Sequence, residues 1–145
     1  MEFWRESALV TSILSWFIAQ LIKVIHTIIK SRKLDFRRFV GSGGMPSSHS
    51  SFVTSLATAV GIENGFLSSE FAIATVMSLV VMYDAAGVRR AAGQQAKVLN
   101  KIVEEWEHAD FAHTDQRLKE LLGHTPKEVF VGAILGVLIA LLRHL

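Results

Sequence analysis

Four apolar stretches of roughly membrane-crossing length set the frame for this chain, at about 8–29, 47–62, 70–88 and 126–142. A spanning α-helix needs about 20 such residues. Inside a bilayer no water serves exposed N–H and C=O groups, so each crossing segment must satisfy its own backbone. The pattern predicts an all-α, integral-membrane helical bundle with about four spanning helices, folded as a single membrane domain over residues 1–145. Composition agrees: half of the residues are apolar, only 19% are charged, and mean hydropathy is +0.37. That is too hydrophobic for an ordinary soluble domain.

The segments differ in character. "ALVTSILSWFIAQLIKVIHTII" is interrupted only by Gln20, Lys23 and His26. The second is rich in Ser, Thr and Ala, which suits close helix packing better than lipid contact. The third, "EFAIATVMSLVVMYDAAGV", carries one acid near its end, Asp84. The fourth holds Gly132 and Gly136, a small-xxx-small pair. Residues 91–123 read differently. They are charged, with Val98, Leu99, Ile102, Val103 and Trp106 at helical spacing, so an amphipathic helix is expected on the membrane surface or against the bundle. "HADFAHTDQ" then reads as a turn and "RLKELLG" as a short helix closed by Gly123.

With four crossings, the polar clusters converge. The basic run "KSRKLDFRR" ends the first span and "GGMPSSHSS" starts the second. "DAAGVRR" ends the third and "GHTPKEV" starts the fourth. All four emerge on one side, opposite the loop "ENGFLSSE" and both termini. The chain has no cysteine, which removes disulfides, thiolate chemistry and cysteine-ligated zinc. Basic patches set between membrane-length segments fit anionic lipid head groups better than nucleic acid. "MEFWRES" lacks the basic region and cleavage site of a signal peptide, so the first span is expected to stay in the mature protein.

The clusters carry chemistry as well as fold signals. Pro46 suits a first helical turn, and Gly43 and Gly44 permit a tight approach to it. Amides near Ser47 and Ser48 would then face outward at the positive end of a helix dipole, an anion site that neighbouring Arg and Lys would reinforce. The bland reading is a helix start with a solvated histidine. "GHTPKEV" is similarly double. Thr125 and Glu128 fit a capping box, while His124 and Glu128, four apart, would let a carboxylate hold one ring nitrogen and leave the other nucleophilic.

Taken together, these residues resemble the divergent branch of the type-2 phosphatidic acid phosphatase and vanadium haloperoxidase superfamily, which includes small bacterial membrane proteins. "PSSH" at 46–49 is similar to that superfamily's P-S-G-H motif, with Ser48 in place of Gly. "HTPKEVFVG" at 124–132 is similar to the end of its third motif, with Glu128 where Asp usually stands. The resemblance implies metal-independent, cofactor-free phosphoryl transfer on a lipid phosphate. His124 would be the nucleophile forming a phosphohistidine, Glu128 its orienting carboxylate and His49 the general acid. Arg89 or Arg90 would be the third-motif arginine, separated from His124 by about 34 residues instead of five. Lys30 and Arg37 have the separation of the first motif, with Arg38 in place of its proline; Lys23 is a rival lysine. Ser47, Ser48, Lys30, Arg37, Arg38, Arg89 and Arg90 would hold the phosphate, with Lys23 and Asp84 in support. The superfamily core has about six helices, and a homodimer would supply the shortfall.

Other residues have plainer readings. Asp84 would brace Arg89, Arg90 or Lys23. His26 reads as packed or interfacial, and His108, His113 and His144 as solvated. His108, Asp110 and His113 make a metal site of low specificity, so no metal is expected. Trp4, Trp16 and Trp106 suit interface or packing positions. The positive-inside rule puts the basic loops, and the site, on the cytoplasmic face of a bacterial cytoplasmic membrane. Phosphatidic acid, phosphatidylglycerophosphate and prenyl diphosphates are the expected substrates. The rival function is a non-catalytic lipid-phosphate binder or scaffold, and vanadium-dependent halogenation is a minor third.

Overall fold

The computed structural model describes residues 7–31, 44–107 and 123–145, which form five helices. These are α1 (Ala8–Ser31), α2 (Ser48–Asn64), α3 (Ser69–Ala86), α4 (Val88–Glu107) and α5 (Pro126–Arg143). No strand occurs among the described residues, and the fold is an all-α membrane bundle. Two stretches, Ala8–Ile29 and Ser69–Val103, are long and apolar enough to cross a membrane.

The distribution of side chains inverts that of a soluble domain. Thr11, Ser12, Ser15, Ser47, Ser48, Ser50, Ser51, Ser55 and Ser78 are buried, whereas Ile13, Phe17, Ile73, Val76, Val80, Phe130 and Leu142 are exposed. Lipid is as apolar as leucine, so large side chains gain nothing by turning inward, and small ones let backbones approach. Helix α2 is the centre, packed by α5, α1 and α3. Its hydroxyls satisfy themselves and their neighbours. Thr54 Oγ1 donates to its own helix at Ser50 O (2.8 Å) and across to Ala133 O (3.0 Å). Ser15 and Ser51 meet between α1 and α2 with their oxygens 2.6 Å apart, and Ser78 Oγ of α3 donates to Val53 O at 2.7 Å. Such interhelical bonds contribute about 0.6 kcal/mol each in membrane bundles.

Glycines set the tightest contact. A Cβ at Gly132 would run into the Ser47 carbonyl, and one at Gly136 into Thr54 Oγ1 and the Ser51 carbonyl. The small-xxx-small pair of α5 therefore lies directly on the first two turns of α2. Gly65, at φ +93°, ends α2, and Ser68 caps α3 by accepting from Phe71 N–H at 3.1 Å.

Two expectations need correction. The amphipathic segment begins at Val88 rather than 91, because α4 follows α3 with only Gly87 between them. His144 is not solvated: its side chain is buried at the far end of α5, with Nε2 3.6 Å from Glu63 Oε1. His26 and Trp16 are exposed on α1. The expected turn and short helix between α4 and Gly123, with His108, Asp110 and His113, lie outside the described residues, as do Trp4 and the Trp106 side chain.

Candidate active site

The site grows from the contact between the starts of α2 and α5. Thr125 caps α5, its Oγ1 accepting from Glu128 N–H at 3.4 Å, while Glu128 Oε2 accepts from Thr125 N–H at 3.1 Å. This is a complete capping box. The same Oε2 lies 3.1 Å from His124 Nδ1. The two readings of "GHTPKEV" are thus not rivals: one carboxylate oxygen closes the cap and holds the imidazole. With a carboxylate accepting, the proton sits on Nδ1 and Nε2 presents its lone pair.

His124 is 2% exposed, and Nε2 has no hydrogen-bond partner among the described residues. Its backbone N–H donates to Ala85 O at 3.1 Å, which pins the residue to the end of α3. Burial, helped by the nearby Lys23 and Arg89 charges, pulls its pKa below the ordinary histidine value; the Glu128 hydrogen bond and charge oppose this without overcoming it. The neutral ring is therefore favoured at neutral pH.

His49, in the first turn of α2, meets this ring edge-on, with centroids 6.0 Å apart and planes at 64°. Its place is fixed from below. Ser47 N–H donates to Glu128 O at 3.0 Å, and the Gly132 contact brings α5 onto the same residue. Ser47 therefore departs from expectation. Its amide serves Glu128, its Oγ accepts from Ser50 N–H at 3.3 Å and from Ser50 Oγ at 3.0 Å, and it is fully buried. Its role is to cap α2 and join α2 to α5, because the outward-facing anion amide expected there is turned inward by helix packing.

Lys23 is the cation brought in from α1. It is 4% exposed, and its Nζ donates to Ser48 Oγ at 3.4 Å. Its stem runs under Gly44, where a Cβ would stand 3.4 Å from Lys23 Cγ and where φ is +86°, a conformation that favours glycine. Arg89 comes from the start of α4 and is held by Asp84, Nε to Oδ2 at 2.7 Å, the brace anticipated for that acid. Arg90 is exposed, and a Cβ on Gly123 would strike its backbone. The chain thus leaves the site at Arg90 and returns beside it at Gly123, so the long interval before His124 closes on itself. Lys30, by its side chain, and Arg37 and Arg38 entirely, lie outside the described residues.

The contacts missed from sequence are backbone ones: His124 N–H to the Ala85 carbonyl, Ser47 N–H to the Glu128 carbonyl, and Gly123 against Arg90. Gly132 was the available signal, since a glycine one turn beyond Glu128 marks a close approach. The spacing Ser12, Ser15, Ala19, Lys23 was another. These small or polar residues share one face of α1, and all are buried.

A protein-family model described as the Divergent PAP2 family matches residues 4–139. An uncharacterized membrane protein of Bacillus subtilis (strain 168), YuiD, is 44% identical over 151 aligned positions, spanning 97% of this chain and 96% of that protein. No solved structure matches. The matched region takes in both histidines, Glu128, Lys23 and Arg89 together with the helices that carry them, and on that ground the chain belongs to the divergent PAP2 family.

Proposed function

We propose that the protein is a lipid phosphate phosphatase that works through a phosphohistidine on His124. The observation that carries this reading is the unpartnered Nε2 of a buried His124, tied at Nδ1 by Glu128 and faced by His49. Nε2 attacks phosphorus and forms the P–N bond as the P–O bond to the lipid alcohol breaks. His49 gives its proton to the departing oxygen. A water then attacks the phosphohistidine, losing a proton to His49; the P–N bond breaks and inorganic phosphate leaves. Lys23 and Arg89 supply positive charge for the equatorial oxygens, and Ser48 a hydroxyl beside Lys23. The reaction needs no metal because these cations carry the compensating charge.

Family membership supports the reaction class, and the bundle supports a substrate presented from a membrane. Phosphatidic acid, phosphatidylglycerophosphate and prenyl diphosphates share the headgroup chemistry the site would accept. The deciding experiment is phosphate release from each of these by purified protein, wild type against His124→Ala. Turnover by the wild type and none by the variant is expected, with a radiolabelled phosphate trapped on the wild type alone. Lipid-phosphate binding with no turnover by the wild type would overturn the catalytic reading and leave a binding protein.

A further inference from the structure

Helix α4 has an apolar face that, among the described residues, neither the packing nor the proposed chemistry uses. Val98, Leu99, Ile102 and Val103 are 59%, 48%, 43% and 41% exposed, and α3 is the one helix on which α4 packs closely among the described residues. At 3.6 residues per turn these four share one arc with Ala91, while Arg90, Lys97 and Lys101 fall on the opposite arc. Residues 88–103 contain Arg89, Arg90, Lys97 and Lys101 and no acid; the acidic residues of α4 are confined to Glu104, Glu105 and Glu107. The stretch 88–103, cationic and with so clean a division between faces, matches a membrane–water interface of negative charge.

Two further observations select the bilayer as occupant. Exposed apolar residues continue from α3 into α4, from Ile73, Val76, Val80 and Tyr83 to Val88, so the surface on α4 extends the lipid-facing surface of the bundle. Helix α4 also starts where α3 has run its 18 residues, close to the length of one crossing, which places its first turn at the headgroup layer.

We infer that α4 lies on the anionic membrane surface, with Leu99 and Ile102 immersed below the headgroups and Lys97 and Lys101 turned to water. Arg89 and Arg90, at its start, are thereby held beside the headgroups of the same leaflet. This holds whether or not the site turns over a substrate.

The absence of cysteine makes a direct test available. Single substitutions Leu99→Cys, Ile102→Cys, Lys97→Cys and Lys101→Cys are spin-labelled in the full chain. Each is reconstituted in phosphatidylcholine bilayers with and without phosphatidylglycerol, and Ile73→Cys on α3 serves as the lipid-facing control. The ratio of oxygen to nickel-chelate collisions reports depth. It should be several-fold higher at 99 and 102 than at 97 and 101, and should rise at 99 and 102 when phosphatidylglycerol is present. Equal chelate access at all four positions would put α4 in water and overturn the inference. So would protection from both reagents at 99, which means another part of the chain covers the face. Dipolar broadening between labels at 99 would assign the face to a second copy, and an unchanged ratio across lipid compositions would remove the anionic surface as its partner.

Discussion

His49 and His124 face each other edge to face across 6.0 Å, although 75 positions separate them in the chain. Neither ring is placed by its own contacts alone. His124 is fixed by Glu128 at Nδ1 and by Ala85 at its amide, and His49 by the Ser47–Glu128 backbone bond and the glycine contact beneath it. One residue, Glu128, thus bears on both rings, through its carboxylate directly on His124 and through its carbonyl on Ser47, two residues before His49.

The division of labour between the rings gives the first prediction. If His49 donates the leaving-group proton, His49→Ala should slow release of a lipid alcohol by roughly a hundred- to ten-thousand-fold. An activated aryl phosphate, whose leaving group needs no proton, should phosphorylate His124 of the variant with a much smaller loss of rate. Phosphohistidine should accumulate on the variant, because the same residue also takes the proton from water in the second step. Quench-flow rates of phosphohistidine formation from the two substrates check this; equal losses in that first step would remove His49 as the acid.

The environment of His124 sets the acid limb of the pH profile. Burial pulls its pKa down, so Nε2 keeps its lone pair to a pH below the ordinary histidine value of about 6.5. The limb that protonation of His124 sets should therefore lie below pH 6.5. Glu128 raises that pKa through its hydrogen bond and its charge, so Glu128→Gln should move the acid limb lower still while reducing the rate, since the ring loses its ionic anchor. Profiles of kcat/KM for the two proteins check the direction; a limb that moves upward would contradict this account of the Glu128 bond.

How much of this could be read from residues alone depended on where each constraint lives. Apolar length and Ser/Thr/Gly content are local, so the all-α membrane bundle and the small-residue packing of α2 and α5 were legible. "PSSH" and "HTPKEV" carried both histidines and Glu128 for the same reason. The lysine was ambiguous because its selection is tertiary: Lys23 enters the site only because Ser15, Ala19 and Lys23 share the face of α1 that meets α2. Ser47 misled because the sequence marks a helix start but does not say which way its amides point; Glu128 O and Gly132 decide that. His144 was misread because a chain terminus suggests solvent, whereas Glu63 at the end of α2 lies within ion-pair reach of it.

Sidedness is open to chemical labelling, and the proposed cytoplasmic site makes a definite prediction. Leu67, fully exposed in the loop between α2 and α3, should face the outside, whereas Thr125 at the start of α5 should face the cytoplasm. In intact cells a membrane-impermeant maleimide should label Leu67→Cys at once and Thr125→Cys only after permeabilisation. The reverse order would put the site on the outer face and leave its chemistry unchanged.

The contact beneath the two rings yields the last prediction. A methyl at Gly132 has nowhere to go, because the atom it would meet is the Ser47 carbonyl, a backbone group that cannot rotate away. Relief requires α5 to move off α2, which stretches the Ser47–Glu128 bond and carries His124 away from His49. Gly132→Ala should therefore destabilise the bundle by about 1–3 kcal/mol, the usual cost of overpacking. It should also reduce turnover by more than that loss of folded protein explains. Gly136→Ala is the informative comparison. Its Cβ would meet Thr54 Oγ1 and the Ser51 carbonyl one turn further from the site, so it should show a similar loss of stability with less effect on turnover. Thermal unfolding in detergent, set beside specific activity corrected for the folded fraction, separates the two. If both variants lost activity only in proportion to stability, the glycines would serve packing alone and the spacing of the histidines would be set elsewhere.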